Sequence, residues 1–376
     1  MYKFEDLIEE VKEFNTDLRY GLDDIVGVTI EKGLIPTIAN LTQTALDKFY
    51  IIKPETFVYN PRTHGVRLGM GYNDTCNTYI TTWNNVAFRV KDTAKNIVIP
   101  RYLWLYFCRP VWDRLTNFLA WGSSTIVFAW KDFLTIEIDL PSITRQREIV
   151  AEYETLTRRI RINEQMIQNL ESTAQTLYRK MFVDGIDKEN LPDGWRMGNL
   201  GEVAKYVNEK ISLSKISESV YISTENMLKD KMGIVVSMNK PDEGKGTKFQ
   251  IDDILISNIR PYFKKIWRAS FCGASSNDVL CFRTEKDFNA SMLYYTLEQD
   301  TFFDYVMAGS NGVKMPRGDK EWIMKYPIII PSNNEIKEYQ ETTNCIRKQN
   351  EFFKQENSKL TELQSLLLAK MGYKTQ

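Results

Sequence analysis

The chain has 376 residues, 43% of them hydrophobic and 12% aromatic, which is ample for two or three well-packed domains. Lys+Arg and Asp+Glu balance at 49 each, so no whole-molecule field attracts nucleic acid and any basic surface must be local. Five scattered cysteines (Cys76, Cys108, Cys272, Cys281, Cys345) contain no Cys-x-x-Cys pair, a pattern that predicts reduced, mostly buried intracellular thiols and argues against zinc.

The N-terminal stretch, Met1 to Glu13, is acidic and amphipathic, which is wrong for a secretion signal. No apolar run approaches the ~18 residues of a membrane span. The expectation is a soluble, cytoplasmic protein with no membrane association. Asp47 to Tyr59 and Trp83 to Val90 alternate or run apolar and predict strands. Arg101-Tyr102-Leu103 opens a short amphipathic helix, and an apolar strand, Thr135 to Leu140, leads into Pro141.

Ile143 to Phe182 then reads as one helix. Steps of four and three from Ile149 reach Tyr153, Leu156, Ile160, Asn163, Ile167, Leu170, Ala174, Leu177 and Met181. This is a heptad seam with one polar member, and neither Gly nor Pro interrupts it before Gly185. At ~1.5 Å per residue the rod is roughly 60 Å long. Turn-forming clusters follow at Asp184-Gly185-Ile186-Asp187 and Leu191-Pro192-Asp193-Gly194-Trp195. Beyond them Phe249 to Ile259 and Val279 to Arg283 predict strands, and a second long helix is expected from about Asn333 to Met371.

A shift of 190 residues brings the two halves into register. Pro141 meets Pro331, Ile149 meets Tyr339, Leu156 meets Ile346, Leu170 meets Leu360, and Leu177, Lys180 and Met181 meet Leu367, Lys370 and Met371. Ala87-Phe88-Arg89 resembles Cys281-Phe282-Arg283, Arg101-Tyr102-Leu103 falls opposite Ser291-Met292-Leu293, and the Gly122-Ser123 step is matched to Gly309-Ser310. The chain is therefore an internal duplication: globular half, long helix, globular half, long helix. Boundaries at 1–141, 142–185, 186–331 and 332–376 follow, and each half should be α+β, with about 140 residues and a core of its own. The second seam carries Asn350, Asn357 and Gln364 where the first has Ile160, Ile167 and Ala174, whereas Asn163 matches Phe353. These complementary defects predict that the helices pair with each other, antiparallel, through Ile149, Tyr153, Leu156, Ile160, Ile167, Leu170 and Leu177 against Ile346, Phe353, Leu360 and Leu367. The competing arrangement has each helix packed only on its own globular half.

Catalytic motifs are mostly absent. His64 is the sole histidine, so a Ser-His or Cys-His dyad has a single possible base. Gly69-Met70-Gly71 lacks the third glycine of a dinucleotide loop, and Gly244-Lys245-Gly246-Thr247 lacks the leading glycine of a P-loop, since position 240 is Lys. Pro241-Asp242-Glu243-Gly244-Lys245 holds the letters of a metal-dependent nuclease motif, but contiguously rather than on separate strands. Tyr59-Asn60-Pro61-Arg62 starts like an amino-methyltransferase loop and does not continue as one. The reading is non-catalytic, with no metal site.

Basic and aromatic clustering says more. Lys245, Lys248, Arg260, Lys264, Lys265 and Arg268 fall in one stretch with only Asp252 and Asp253 opposing them, interleaved with Asn258, Tyr262, Phe263 and Trp267. The corresponding stretch of the first half, Tyr59 to Tyr72, holds Asn60, Arg62, His64 and Arg67 with no acid. Lys and Arg suit phosphate contacts, and Asn or Arg can reach base edges. A charged, solvated hairpin explains either stretch alone; it gives no reason for the basic character to recur in both halves. The loop Gly309 to Arg317 adds Lys314 and Arg317.

The whole chain resembles the specificity subunit of type I restriction–modification systems. The matching pieces are Phe57 to Arg62 and Ile254 to Tyr262, the Gly-Ser step, the apolar strands ending at Pro141 and Pro331, and the long helices ending in Lys180-Met181-Phe182 and Lys370-Met371. The resemblance implies two target-recognition domains separated by two long antiparallel coiled-coil helices, with pseudo-two-fold symmetry, each domain reading half of a bipartite double-stranded DNA target. It also implies docking of two modification subunits, which would carry S-adenosylmethionine and methylate adenine, and of restriction subunits using ATP with Mg for translocation and cleavage; no cofactor is expected in this chain. Domains held apart by such a rod would centre their half-sites about one DNA turn apart. Lys245, Lys248, Lys264, Lys265 and Lys314 are the candidate phosphate contacts. Asn258, Arg260, Arg268, Arg62 and Arg67 are the candidate base readers, with Asn60, His64, Tyr262, Arg317 and the Asn77 to Asn85 region beside them. The competing class is a structural protein that self-associates through its helices.

Overall fold

The computed structural model describes residues 1–37, 45–63, 67–122, 126–235, 237, 239–285, 288–312 and 314–371. It divides into two compact units, one of residues 1–163 with 354–376, the other of residues 164–353. Two long helices, Ile143–Phe182 and Asn333–Lys370, each contribute to both units. The units therefore do not end where the helices begin.

In the first unit an antiparallel sheet runs in the order Ile8–Glu10, Val86–Val90, Phe57–Tyr59, Met70–Tyr72, Val26–Thr29, Gly33–Pro36. Phe57 and Phe88 pair across its centre, stacked at 5.0 Å, and both are fully buried. The helices Pro100–Phe107, Pro110–Leu119 and Trp130–Thr135 cover one face, packing Phe107 and Phe133 onto these rings and Trp112 onto Phe107. Both of the first two helices begin with a proline, whose fixed φ suits the first helical turn. The expected strand Thr135 to Leu140 is shorter than predicted, Glu137–Ile138, because Trp130–Thr135 is helical.

The second unit repeats this core. Val279–Thr284 lies between Ala204–Tyr206 and Ile254–Ser257, as Val86–Val90 lies between Ile8–Glu10 and Phe57–Tyr59. Ala290–Leu297, Asp300–Ala308 and Lys320–Met324 stand where the three helices of the first unit stand. The segment before the first sheet strand is part of the duplication too. Phe4–Leu7 and Leu200–Val203 are single helical turns, closed by Asp6 accepting from the Lys3 amide (3.2 Å) and Glu202 accepting from the Asn199 amide (2.9 Å). Tyr2–Lys3 pairs with Glu137–Ile138, and Arg196–Asn199 pairs with Pro327–Ile330. A second four-stranded sheet, Lys210–Ser212, Lys245–Phe249, Gly273–Ser275, Tyr221–Ile222, belongs to the second unit alone in this form. The cysteines are not mostly buried as expected: Cys281, on the strand Val279–Thr284, is buried and Cys108 half-buried, whereas Cys76 and Cys272 lie in loops and Cys345 on the outer face of the second long helix, these three exposed.

Within each unit the two long helices pack antiparallel. In the first, Ile149 and Tyr153 share a cluster with Leu367, Leu368 and Met371, Gln364 donates to Thr157 (2.7 Å), and Arg159 pairs with Glu356 (3.1 Å). In the second, Leu177, Tyr178, Met181 and Phe182 share a cluster with Ile336 and Tyr339. The predicted seam positions are the inward stripe of both helices: Leu156, Ile160, Ile167, Leu170, Ile346 and Leu360 are half-buried, and Ile149, Ala174 and Phe353 are buried. The polar members do not offset one another as the duplicated frame suggested. Asn163 lies beside Asn357 rather than Phe353, donating to its Oδ1 (2.8 Å) and to Glu356 (2.8 Å). Antiparallel pairing reverses the direction along one seam, so positions equated by the repeat are not positions that meet. A buried polar layer of this kind costs stability and fixes register.

In the second unit the Glu298 carboxylate accepts from Gln175 of the first long helix (3.1 Å) and from Tyr294 Oη (3.3 Å), and burial raises its pKa. A carboxyl whose folded pKa lies above its unfolded value contributes most below the unfolded pKa, and that contribution is lost as pH rises through the folded pKa. Glu298→Gln keeps an acceptor without the buried charge. Its urea midpoint should exceed that of the parent at about pH 7, and the gap should close toward about pH 4. A gap that did not change with pH would show that Glu298 is not charged at a cost.

Candidate nucleic-acid interface

The loop after the central strand Ile254–Ser257 is held by backbone contacts on two sides. The Asn258 amide donates to Asp278 (2.8 Å), the Arg260 amide donates to Pro316 (2.9 Å), and Ile259 bridges Arg317. Arg260 and Lys264, at φ 50° and 49°, flank the turn Pro261–Phe263 in the left-handed region. Neither is glycine, and strain of this kind concentrates at functional loops. It lifts Tyr262 to 47% exposure, edge-on to Phe263 at 4.7 Å. Asn258 Oδ1 and Arg260 Nε are buried without a hydrogen-bond partner, two polar groups of opposite sense left for something else to satisfy.

The cations of this stretch separate into two groups. Arg268 is occupied, donating to Asp252 (2.7 and 3.0 Å) and Ser291 (2.7 Å), while Asp252 also takes Arg347 from the second long helix (3.0 Å). Lys264 shares Asp300 with Lys231 (2.9 and 2.8 Å), and these two lysines hold the Asp300 carboxyl below its usual range. Lys265 donates to the Thr224 carbonyl (2.6 Å), and burial, with Lys229 nearby, lowers its pKa. Lys248 pairs with Glu209 (2.6 Å) and Arg317 with Asp278 (3.1 Å), both at the surface. By contrast Lys245, Lys314 and the Arg260 guanidinium form no ion pair or side-chain hydrogen bond among the described residues. Lys245 and Lys248 point outward from one strand while Gly246, Thr247 and Phe249 are buried. The sequence missed Lys210, which reaches Thr247 (3.0 Å) and Asn277 (2.8 Å) and so extends this basic strand edge.

In the first unit Arg62 and Arg67 are exposed and unpaired among the described residues. Asn60 is spent on its own turn, where its Oδ1 accepts from the Arg62 amide (3.0 Å). Asn85 is likewise turned inward, donating to Thr81 (2.8 Å). His64, with Ser123, Ser124 and Thr125 of the Gly-Ser step, lies outside the described residues. Arg67 opens onto a cleft of about 710 Å³ lined also by Lys32, Arg101, Asp113 and Tyr153. There Lys32 donates to buried Asp113 (2.6 Å) and Arg101 ties Asp74 (2.9 Å) to Glu154 of the first long helix (3.1 Å).

The equivalent edges of the units are three-stranded rows. Arg62 pairs with Val127 and Val127 with Trp121; Ile259 pairs with Arg317 and Arg317 with Asn311. This ladder equates Gly122 (φ 149°) with Gly312 (φ 97°), three residues beyond the Gly309 expected from the sequence. Gly309 instead sits against the Trp322 ring, where no side chain fits. Each row thus carries one outward arginine.

Among the described residues no group of three or more His, Cys, Asp and Glu could hold a metal ion, and no helix is long and apolar enough to cross a membrane. No protein-family model matches the sequence, and no curated protein matches it. Its fold is similar to that of solved structures. One is a type I restriction-modification system S subunit from M. genitalium, with a TM-score of 0.54, 13% identity and coverage of 100% of this chain and 96% of that one. Another comes from a structural study of complex assembly and conformational transition in the type I R-M system, with a TM-score of 0.51, 15% identity and coverage of 100% of this chain and 97% of that one. Over its whole length the chain has the fold of these proteins: a duplicated α+β core with two long helices.

Proposed function

We propose that this chain is the DNA sequence-specificity subunit of a type I restriction–modification complex. It reads a bipartite double-stranded target with its two α+β cores and holds two modification subunits, and restriction subunits where present, in register on that target. The chain does no chemistry itself; S-adenosylmethionine, and ATP with Mg, belong to the partner subunits. The observation that carries this reading is the duplicated edge row, which in each core presents one outward arginine, Arg62 on the strand that Ile259 occupies in the second unit and Arg317 on the strand that Val127 occupies in the first. Beside it lie loops that hold Arg67 and Lys314, unpaired among the described residues. Full-length similarity of fold to an S subunit supports it.

Within this reading the bound and unbound cations divide the labour. Lys245, Lys314 and Arg62, which have no side-chain partner among the described residues, would make backbone or base contacts, and Lys248 and Arg317 would join them by exchanging Glu209 and Asp278 for the duplex. Arg268, Lys264 and Lys265 position the loop that carries Arg260. Arg260→Ala should weaken binding to the cognate duplex and relax discrimination at one position of its half-site by about 1–3 kcal/mol. Binding competition with single-base variants, on a target obtained by mapping methylated adenines in a host carrying the system, measures this. An equal loss on every sequence would assign Arg260 to phosphate. A wild-type chain that binds all duplexes alike, with or without modification subunits, would end the specificity reading.

A further inference from the structure

Phe118 is 84% exposed and Trp121 67% exposed, two large rings facing water three residues apart in sequence. Isolated exposed apolar residues are ordinary, but two large aromatic rings exposed within one short segment are not. Helix Pro110–Leu119 buries Trp112, Asp113 and Thr116 and turns Val111, Arg114 and Phe118 outward along one stripe. Trp121 follows in the three-stranded row and, through Val127, shares a face with Arg62, since cross-strand partners project to the same side. Lys131 Nζ lies 5.9 Å from the Trp121 ring. Arg114 thus lies one turn before Phe118 on its stripe, Lys131 near the Trp121 ring, and Arg62 two strands across the row on the same face.

We infer that Phe118 and Trp121 form a stacking wedge, which in the first unit contacts the base or sugar faces of double-stranded DNA while the surrounding cations take phosphates. This rests on the DNA-reading function proposed above. Two observations favour nucleic acid over a protein partner. Lysine is depleted at protein–protein interfaces, whereas large apolar side chains flanked by cations suit insertion between the base steps of a duplex with the cations on its phosphates. The same row in the second unit has Asn311 where the first has Trp121, Arg317 where it has Val127 and Ala308 where it has Phe118, so the row is polar and carries a cation on the neighbouring strand where it is not aromatic. The two halves would then read by different means: contacts through stacking and shape in the first, hydrogen bonds in the second.

The test uses the full-length chain, the mapped target duplex, and 2-aminopurine substituted stepwise through each half-site. Trp121→Ala and Phe118→Ala should each lower affinity about tenfold, with no change in the slope of log K against log salt, because no phosphate contact is lost. Trp121→Phe should restore most of the affinity. Wild-type binding should raise 2-aminopurine fluorescence at one step of the first half-site, and Trp121→Ala should abolish that rise. Both side chains are at the surface, so the variants should fold. Wild-type affinity and fluorescence in both alanine variants would overturn the wedge, as would a defect confined to assembly with modification subunits. A wild-type chain without sequence preference would instead overturn the underlying reading, so the two failures are distinct.

Discussion

Replacing Tyr339 by alanine should destabilise the second unit by about 3–5 kcal/mol, among the larger losses available to a single side chain here. Tyr339 lies one turn and a half into the second long helix and is fully buried. Its ring meets Phe182 edge-on at 5.3 Å and Tyr178 at 6.2 Å, and its hydroxyl donates to the Ala174 carbonyl (3.3 Å). One side chain thus joins both long helices to the core beneath them. Truncation removes most of an aromatic ring from a site whose walls are two helices and a sheet, so the cavity cannot collapse. Tyr339→Phe keeps the rings in contact and loses one hydrogen bond, worth about 1 kcal/mol. Urea unfolding followed by near-ultraviolet circular dichroism would rank the three proteins. Equal losses for the two variants would place the energy in the hydroxyl rather than in packing.

The second large effect is electrostatic. Asp253 is 1% exposed and accepts both arms of the Arg283 guanidinium at 2.7 Å, together with the Gln250 amide at 2.8 Å. The pair joins the turn before the central strand to the neighbouring strand, and the bond to Asp253 raises the Arg283 pKa further. Removing one partner of a buried pair leaves the other charge uncompensated. Asp253→Ala should cost about 3 kcal/mol, the lower end of that range, since Arg283 keeps some contact with water. The central strand leads into the loop of Arg260, so the same variant should reduce DNA binding out of proportion to any change at the first half-site. Asp253→Asn, which retains the acceptor for Gln250, should fall between. A Tm unchanged in Asp253→Ala would show the pair to be solvated.

The sequence by itself determined the long helices and the duplication. Helix formation depends on contacts three and four residues apart, so the seam from Ile149 to Met181 and its fainter copy from Tyr339 to Met371 were visible without a fold. A repeat is a property of the string alone, and the equivalence of Ala87-Phe88-Arg89 with Cys281-Phe282-Arg283 holds in the sheets, where Phe88 and Phe282 are both fully buried. Tertiary structure decided which cations are available. Whether an arginine is free for a ligand or braces a loop depends on the carboxylate that faces it, and such partners come from distant parts of the chain: Asp252 holds Arg347 95 residues away, and Asp300 holds Lys231 and Lys264. It also decided that Asn163 meets Asn357, that the N-terminal turn at Phe4–Leu7 belongs to the repeat, and that Trp121 shares a row with Arg62. Each of these is a pairing between segments far apart in sequence, where side-chain period gives the face but not the partner.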